Sequence, residues 1–212
     1  MTTLLILGGT GLVGQQLLAQ ALADPRVDRV LAPTRRPLAA HAKLSNPSID
    51  YAQLPDQADW WRADAVLCAL GTTIRIAGSQ AAFRQVDHDF VLAAAALARR
   101  HGTPSFVLNS SLGADARSRS FYLRVKGEIE DDLAKLGFAS LTVVRPSLLD
   151  GGPRPDSRPG ERAAIAIGKC LGPLLAKRWR PVATARVAAA MLAAARASAP
   201  GCHYIESDQL HP

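Results

Sequence analysis

Tyr122 and Lys126 lie four positions apart in a stretch with helical spacing, so their side chains share one face. An ammonium group beside a phenol stabilises the phenolate, and a tyrosine in that setting can give a proton to a carbonyl or take one from an alcohol. Ser110 and Ser111 end the preceding apolar run, where a hydroxyl can polarise a substrate carbonyl. The alternative is a half-buried tyrosine beside a solvated lysine. The pattern favours acid–base chemistry on a carbonyl or an alcohol.

A glycine-rich turn near the N-terminus is typical of a phosphate-binding loop. Gly8, Gly11 and Gly14 are three apart, directly after the apolar run 4–7 and at the start of the helical pattern 12–23. Glycine at these positions permits a tight turn, close approach of the backbone to a pyrophosphate, and close packing of helix on strand. The free N–H groups at the start of the helix attract phosphate. A turn without a ligand is the alternative, but its place in a strand–helix–strand unit favours dinucleotide binding.

Two arginines indicate which dinucleotide this is. NAD-binding sites usually carry Asp or Glu after the second strand, where the carboxylate holds the ribose 2′-OH. Here the second predicted strand, 27–32, is followed by Thr34, Arg35 and Arg36. A carboxylate would repel a 2′-phosphate, whereas guanidinium groups pair with it. We therefore predict NADPH/NADP as the cofactor, the alternative being that one or both arginines are merely exposed.

Strand and helix patterns alternate along the rest of the chain. Buried strands are predicted at 65–69, 106–108 and 141–144, with a last strand at 203–205, and helices at 81–100, 122–136, 161–171 and 184–199. Residues 150–160, rich in Gly, Pro and Arg, are predicted to be a long loop. The alternation predicts an α/β protein: a Rossmann-type doubly wound parallel sheet with helices on both faces. We expect a single domain over 1–212, with a small C-terminal substrate-side portion from about 147.

Composition excludes several classes of protein. Hydrophobic residues make up 48% and charged residues 20%, as in ordinary globular domains. The net charge is +7, but the basic residues are scattered without aromatic interleaving, so we predict no nucleic-acid partner. The three cysteines have no metal-binding spacing, so no metal is expected. No apolar stretch is long enough to span a bilayer and no leader pattern is present. We expect reduced thiols in a cytoplasmic protein, as a monomer or homodimer.

These features together resemble a known family, the atypical short-chain dehydrogenase/reductases, and within it the Tat-interacting-protein oxidoreductase branch, which is found in animals and has small bacterial relatives. The matching segments run in order over about three quarters of the chain. They are Gly8–Gly14, Thr34-Arg35-Arg36, Leu70-Gly71-Thr72-Thr73, Val86-Asp87-His88-Asp89, Ser110-Ser111 with Gly113-Ala114-Asp115, Tyr122 with Lys126-Gly127-Glu128, Arg145-Pro146 and Ser157-Arg158-Pro159-Gly160-Glu161.

The resemblance implies a catalytic set of Ser111, Tyr122 and Lys126, with Ser110 as the alternative serine. It implies a cofactor site formed by Gly8, Thr10, Gly11, Leu12, Val13, Arg35, Arg36, Leu70, Gly71, Thr72, Asn109, Ser110, Tyr122, Lys126, Pro146 and Leu148. Residues 70–73 are expected on the adenosine and ribose side, and 146–148 on the nicotinamide side. Members of the wider family carry an asparagine in a proton relay. Here Asp87-His88 stands in its place, so that relay is in doubt, and His88 is either structural or catalytic.

Two functions follow from the sequence. The first is an NADPH-dependent oxidoreductase acting on a small carbonyl or alcohol of unknown identity. The second is an NADPH-binding redox sensor or regulatory protein with little or no turnover, favoured by the roughly 60 residues that follow Arg145-Pro146. A cavity between Tyr122 and residues 156–162 would distinguish the two functions.

Overall fold

The computed structural model describes residues 2–151 and 176–212. Its strands are β1 Thr3–Leu7, β2 Arg29–Leu31, β3 Leu44–Ser45, β4 Ala65–Cys68, β5 Ser105–Asn109, β6 Ser140–Arg145, β7 Leu149–Asp150, β8 Val182–Ala183 and β9 Gly201–Glu206. Seven of them form one parallel sheet in the order β3-β2-β1-β4-β5-β6-β9, and β7 pairs with β8 separately. This order confirms the predicted doubly wound sheet.

Helices connect these strands on both faces. They are α1 Leu12–Ala23, α2 Ile74–Ala77, α3 Gln80–Arg84, α4 Phe90–Arg100, α5 Phe121–Lys135 and α6 Thr184–Ala197, with a π-helical turn at Gln85–Asp89 between α3 and α4. Short 3-10 turns occur at Asp59–Trp61, Lys177–Trp179 and Ser207–Leu210. Within the described ranges, no helix is long and apolar enough to cross a membrane.

The uninterrupted apolar run 4–7 in strand β1 is explained by burial on both faces of the sheet. Side chains alternate between the two faces of a strand. Leu4 and Ile6 pack in the core beneath α1 and α6, whereas Leu5 and Leu7 pack beneath α4 and α5. Because helices cover both faces, the buried positions 4–7 all carry apolar side chains, whereas Thr3 at the start of the strand is only partly buried. The two cores lie on opposite sides of one sheet.

The chain changes direction across the sheet between β1 and β4. From β1 it proceeds outward through β2 to β3, and then returns to β4 on the other side of β1. Leu7 at the end of β1 lies opposite Cys68 at the end of β4. In open parallel sheets, ligands bind in the crevice beyond the carboxyl ends of the strands at such a point. The glycine turn after β1 and residues 70–73 after β4 therefore border one crevice.

The structure differs from the predicted elements in several places. Residues 81–100 were expected to form one helix, but a π-helical turn interrupts it and carries Asp87 and His88 as buried residues. The strand expected at 27–32 is limited to β2. Strand β3, the pair β7–β8 and helix α2 were not predicted, because two to four residues are too few to show a period. The predicted helix 161–171 and most of the loop 150–160 lie outside the described residues.

Candidate functional site

Glycines allow the close backbone packing of the turn between β1 and α1. Gly8 has φ of +81°, and a Cβ there would lie 2.6 Å from the backbone of Ala69. A Cβ on Gly14 would lie 2.0 Å from the carbonyl oxygen of Gly8. The amide of Gly11 donates to that same oxygen at 3.0 Å, and α1 begins at the next residue. The turn thus brings the N-terminus of α1, with its unpaired N–H groups, to the crevice beside β4.

We expect Gly14→Ala to lower the free energy of unfolding by about 3 kcal/mol, because its methyl group would overlap the Gly8 carbonyl. That loss corresponds to a fall in Tm of roughly 6–12 °C in thermal unfolding. Gly11→Ala is the matched control, since a Cβ there would lie an ordinary 3.4 Å from the Gly8 oxygen. Equal Tm values for the two variants would contradict the close packing of α1 on the turn.

A cavity of about 130 Å³ adjoins this turn. Its lining includes five residues predicted to bind the cofactor: Gly8, Thr10, Arg35, Arg36 and Leu70. The remaining lining residues are Pro33, Thr34, Asp50, Tyr51, Val86 and Phe90. The structure therefore brings the phosphate turn and both arginines to one cavity, on the side of the crevice where the resemblance places the adenosine.

Three lining residues were not predicted from the sequence: Asp50, Tyr51 and Phe90. Asp50 and Tyr51 follow β3, whose two residues left no strand pattern to point to them. The Tyr51 ring stacks on that of Phe90 with 6.0 Å between centroids, and burial raises the pKa of the Tyr51 phenol. Both rings line the same cavity as the two arginines.

Lys126 forms a buried ion pair with Asp87. The two atoms, Nζ and Oδ1, are 2.8 Å apart, and the side chains are 7% and 1% exposed. Burial alone would lower the pKa of Lys126, but the Asp87 carboxylate raises it to about 12. The other Asp87 oxygen accepts a hydrogen bond from the Thr72 amide at 2.8 Å. Asp87 thus joins α5 to the segment after β4.

Gly71 lies against this ion pair, since a Cβ there would be 3.1 Å from Asp87 Oδ1. Gly71, Thr72 and Lys126, all predicted to bind the cofactor, are therefore brought together. Asp87 was noted in the sequence only as a departure from the relay asparagine. In the structure, Asp87 is the anionic partner of Lys126.

Tyr122 lies one turn before Lys126 on α5 and is half-buried. Its ring centroid is 5.5 Å from that of Phe83. The predicted sharing of one helix face by Tyr122 and Lys126 is confirmed by the continuous helix Phe121–Lys135.

The two serines after β5 have different surroundings. Ser110 is buried, and its hydroxyl donates to the carboxylate of Glu130. Ser111 is half-buried, and its hydroxyl has no hydrogen-bond partner among residues 2–151 and 176–212. Of the two hydroxyls, that of Ser110 is therefore engaged by Glu130, whereas that of Ser111 has no such bond within the described ranges.

Glu130 interacts with Arg145 as well as with Ser110. Arg145 forms an ion pair with it and also with Glu206, where Nη1 and Oε1 are 3.1 Å apart. The guanidinium lies 4.4 Å from the ring centroid of Tyr204. Burial would lower the pKa of Arg145, but the bonds to Glu130 and Glu206 raise it. Glu130 was not predicted from the sequence, although it lies four residues after Lys126 on the same face of α5.

The other predicted cofactor residues differ in what they can offer. Val13 is buried in the core between α1 and the sheet, so only its backbone can contact a ligand. The half-buried Leu12 side chain lies near Gly151.

The predicted cofactor residues after β5 and β6 have different surroundings. Asn109 ends β5, and its Oδ1 is buried without a partner among the described residues. The buried Pro146 accepts a hydrogen bond from the Leu112 amide through its carbonyl. Leu148 is half-buried, and its carbonyl accepts from Val182.

His88 is bracketed by two carboxylates. Its Nδ1 lies 2.8 Å from Asp89 and its Nε2 lies 3.0 Å from Asp132. Both ring nitrogens thus have a carboxylate partner within the protein, which supports a structural histidine. The Ser157–Glu161 motif and the segment 156–162 opposite Tyr122 lie outside the described residues.

A family model and two curated proteins are similar to this chain over most of its length. A family model described as NAD(P)H-binding matches residues 8–198. The chain is 35% identical over 180 residues to "Protein fmp52, mitochondrial" of Emericella nidulans, covering 81% of this chain and 77% of that protein. It is 39% identical over 161 residues to "Protein HTATIP2" of Rattus norvegicus, covering 74% of this chain and 66% of that protein.

Solved structures share the fold. An oxidoreductase of the short-chain dehydrogenase/reductase family from Burkholderia thailandensis matches with a TM-score of 0.69 at 22% identity, covering 99% of this chain and 92% of that one. MoeE5, solved with UDP-glucuronic acid and NAD, matches with a TM-score of 0.75 at 18% identity, covering 97% of this chain and 76% of that one. These similarities confirm the Rossmann-type architecture.

The predicted cytoplasmic location is wrong by this comparison. Fungal relatives, including those of Emericella nidulans and Candida albicans, are mitochondrial proteins by name. The prediction depended on scattered cysteines, and that pattern argues only against a disulfide framework. It does not distinguish one compartment from another.

Proposed function

The chain belongs to the NAD(P)H-binding family of atypical short-chain dehydrogenases/reductases, and we propose that it is an NADPH-dependent oxidoreductase that acts on a small carbonyl or alcohol. The observation that carries this proposal is the cavity beside the glycine turn, which Arg35 and Arg36 line together with Gly8 and Thr10. Two guanidinium groups beside a phosphate-binding turn suit a dinucleotide with an additional 2′-phosphate.

The residues fit such a cofactor. The glycine turn leaves the backbone around Gly8 and Gly11 free of side chains, as a pyrophosphate requires. The first turn of α1 carries no acidic side chain that would repel phosphate. Asn109, at the carboxyl end of β5, carries a buried Oδ1 acceptor that has no partner within residues 2–151 and 176–212. When bound, NADPH supplies a hydride.

The chain's own residues supply the proton and the orientation. In this proposal the Tyr122 hydroxyl donates a proton to the carbonyl oxygen of the substrate. Lys126, fixed by Asp87, presents its ammonium one turn away on the same helix face and stabilises the resulting phenolate. Ser111 donates a hydrogen bond that orients the carbonyl oxygen, and the Ser110–Glu130 bond holds the backbone that carries it.

The choice of cofactor is tested by titrating the protein with NADPH and with NADH. We expect NADPH to bind about 10–100 times more tightly, because charge-assisted hydrogen bonds to the 2′-phosphate exist only for that cofactor. Arg35→Asp is expected to weaken NADPH binding by at least about tenfold and to leave NADH binding within about twofold.

Arg29→Asp is the matched control, since Arg29 is an exposed arginine at the opposite end of β2. It makes the same charge change far from the cavity and is expected to have little effect at physiological salt. Equal affinity of the wild-type protein for both cofactors would refute the proposal of NADPH specificity.

A regulatory protein that binds NADPH with little turnover is the second candidate. The Asp87 carboxylate, 2.8 Å from Lys126, offsets part of the positive charge that would stabilise a Tyr122 phenolate. Tight NADPH binding without oxidation of NADPH by any compound in a panel of aldehydes and ketones would favour this candidate over the enzyme.

A further inference from the structure

Asn46 is joined to the segment that carries the two arginines. Asn46 follows directly after β3 in the chain. Its side-chain Nδ2 donates to the carbonyl of Ala32 and also, at 2.7 Å, to Thr34 Oγ1. Its Oδ1 accepts from the Leu38 amide at 2.7 Å. Both amide hydrogens and the carbonyl oxygen are thus used, and all three partners lie within residues 32–38.

Thr34 extends this connection to the backbone of Arg36. Its hydroxyl accepts from Asn46 and donates its own hydrogen to the Arg36 carbonyl at 2.5 Å. The Thr34 amide donates to the Pro47 carbonyl at 3.1 Å, and the Ile49 amide donates to the Thr34 carbonyl at 3.2 Å. Thr34 is 5% exposed, so these bonds are protected from water. The backbone from 34 to 38 is therefore held in one conformation against β3.

The arginine side chains themselves have no such support. Both are exposed, and neither guanidinium has a hydrogen bond or ion pair with residues 2–151 or 176–212. Bidentate recognition of a phosphate requires the guanidinium plane to be correctly placed. Since the side chains are free, the direction in which they leave the backbone is set by the hydrogen bonds of Asn46 and Thr34.

We propose that Asn46, acting through Thr34, is a positioning residue that determines preference for the phosphorylated dinucleotide. It does not line the cavity, and so it acts through the backbone of Arg35 and Arg36 without touching the ligand. This inference rests on the proposed function, because it concerns the same 2′-phosphate site. A preorganised loop binds its ligand without first having to be ordered, and its loss is expected to weaken only contacts that the loop makes.

The test compares NADPH and NADH affinities by fluorescence titration at constant ionic strength. Asn46→Ala removes all three bonds, and Thr34→Val removes the hydroxyl at nearly constant volume. Each is expected to weaken NADPH binding by about tenfold and NADH binding by less than about twofold, which matches the loss of one or two hydrogen bonds at the phosphate end only. Thr34→Ser keeps the hydroxyl and is expected to retain the wild-type ratio of affinities.

The outcomes separate this inference from the proposed function. If the wild-type protein binds both cofactors equally, the proposed NADPH specificity fails and the positioning role fails with it. If the wild-type protein prefers NADPH but Asn46→Ala and Thr34→Val keep that preference, only the positioning role is overturned. An equal loss of both affinities in the two variants also overturns it, because that result indicates general damage to the fold. Thermal unfolding of each variant shows that it is folded before titration.

Discussion

Asp87→Asn is expected to lower the free energy of unfolding by about 3–5 kcal/mol, since it leaves the buried Lys126 ammonium without its anion. The substitution keeps the size of the side chain, so the loss comes from charge and not from a cavity. In a domain of this size it corresponds to a fall in Tm of roughly 6–20 °C. Urea denaturation at neutral pH measures the loss directly.

Two further variants isolate the ion pair as the cause. Asp56→Asn removes the carboxylate of an exposed pair, in which Arg100 and Asp56 are 3.4 Å apart, and is expected to cost at most about 1 kcal/mol. Lys126→Met added to Asp87→Asn is expected to recover much of the loss, because no unpaired charge is then buried. If Asp87→Asn costs no more than Asp56→Asn, Asp87 does not hold the lysine.

Tyr122→Phe is expected to lower the rate of NADPH oxidation with a carbonyl substrate by about 10²–10⁴-fold, the usual contribution of a positioned proton donor. NADPH affinity is expected to stay within about twofold, since the ring that packs on Phe83 is retained. The measurement combines steady-state turnover with a carbonyl panel and cofactor titration of the same preparations.

Tyr204→Phe is a control with the same chemical change. Tyr204 is 44% exposed on β9, and its ring face on Arg145 is preserved in phenylalanine. We expect turnover close to that of the wild-type protein. Full turnover in Tyr122→Phe would exclude Tyr122 as the proton donor, whereas NADPH binding without turnover in the wild-type protein would favour the regulatory candidate.

These two experiments also bear on how one site can serve either function. Lys126 interacts with Asp87, and Tyr122 precedes it by one helical turn. A strong ion pair fixes the lysine in place and at the same time reduces the field that it exerts on the phenol. Whether the phenol transfers protons efficiently therefore depends on the Asp87 carboxylate.

Short-range patterns were sufficient for the parts of the site that lie within one element or one turn. The positions of Gly8, Gly11 and Gly14 indicated a strand-to-helix turn, and the uninterrupted apolar run at 4–7 indicated a strand covered on both faces. Likewise, the spacing of Tyr122 and Lys126 placed them on one face of α5. Such inferences succeed because the helical and strand periods are local properties of the backbone.

Contacts between distant elements could not be read in this way. Asp87 lies in the π-helical turn Gln85–Asp89, within what looks in the sequence like one continuous helix, and its pairing with Lys126 depends on how that turn packs against α5. The hydrogen bond from Ser110 to Glu130 depends on how α5 packs beside β5. A sequence shows that a charge exists, but the partner of a buried charge is decided by which elements meet at the edge of the sheet.

The chain by itself determined the class of the fold, the glycine turn and the tyrosine–lysine face, because each follows from spacings of a few residues. Only the tertiary structure decided that Asp50, Tyr51 and Asn46 border or support the cavity, since the two-residue strand β3 brings them there. It also decided that Ser110, and not its neighbour Ser111, donates to Glu130. The physical reason is the same in each case: parallel strands gather residues from remote parts of the chain at their carboxyl ends, and burial there favours hydrogen bonds and ion pairs between polar groups of different elements.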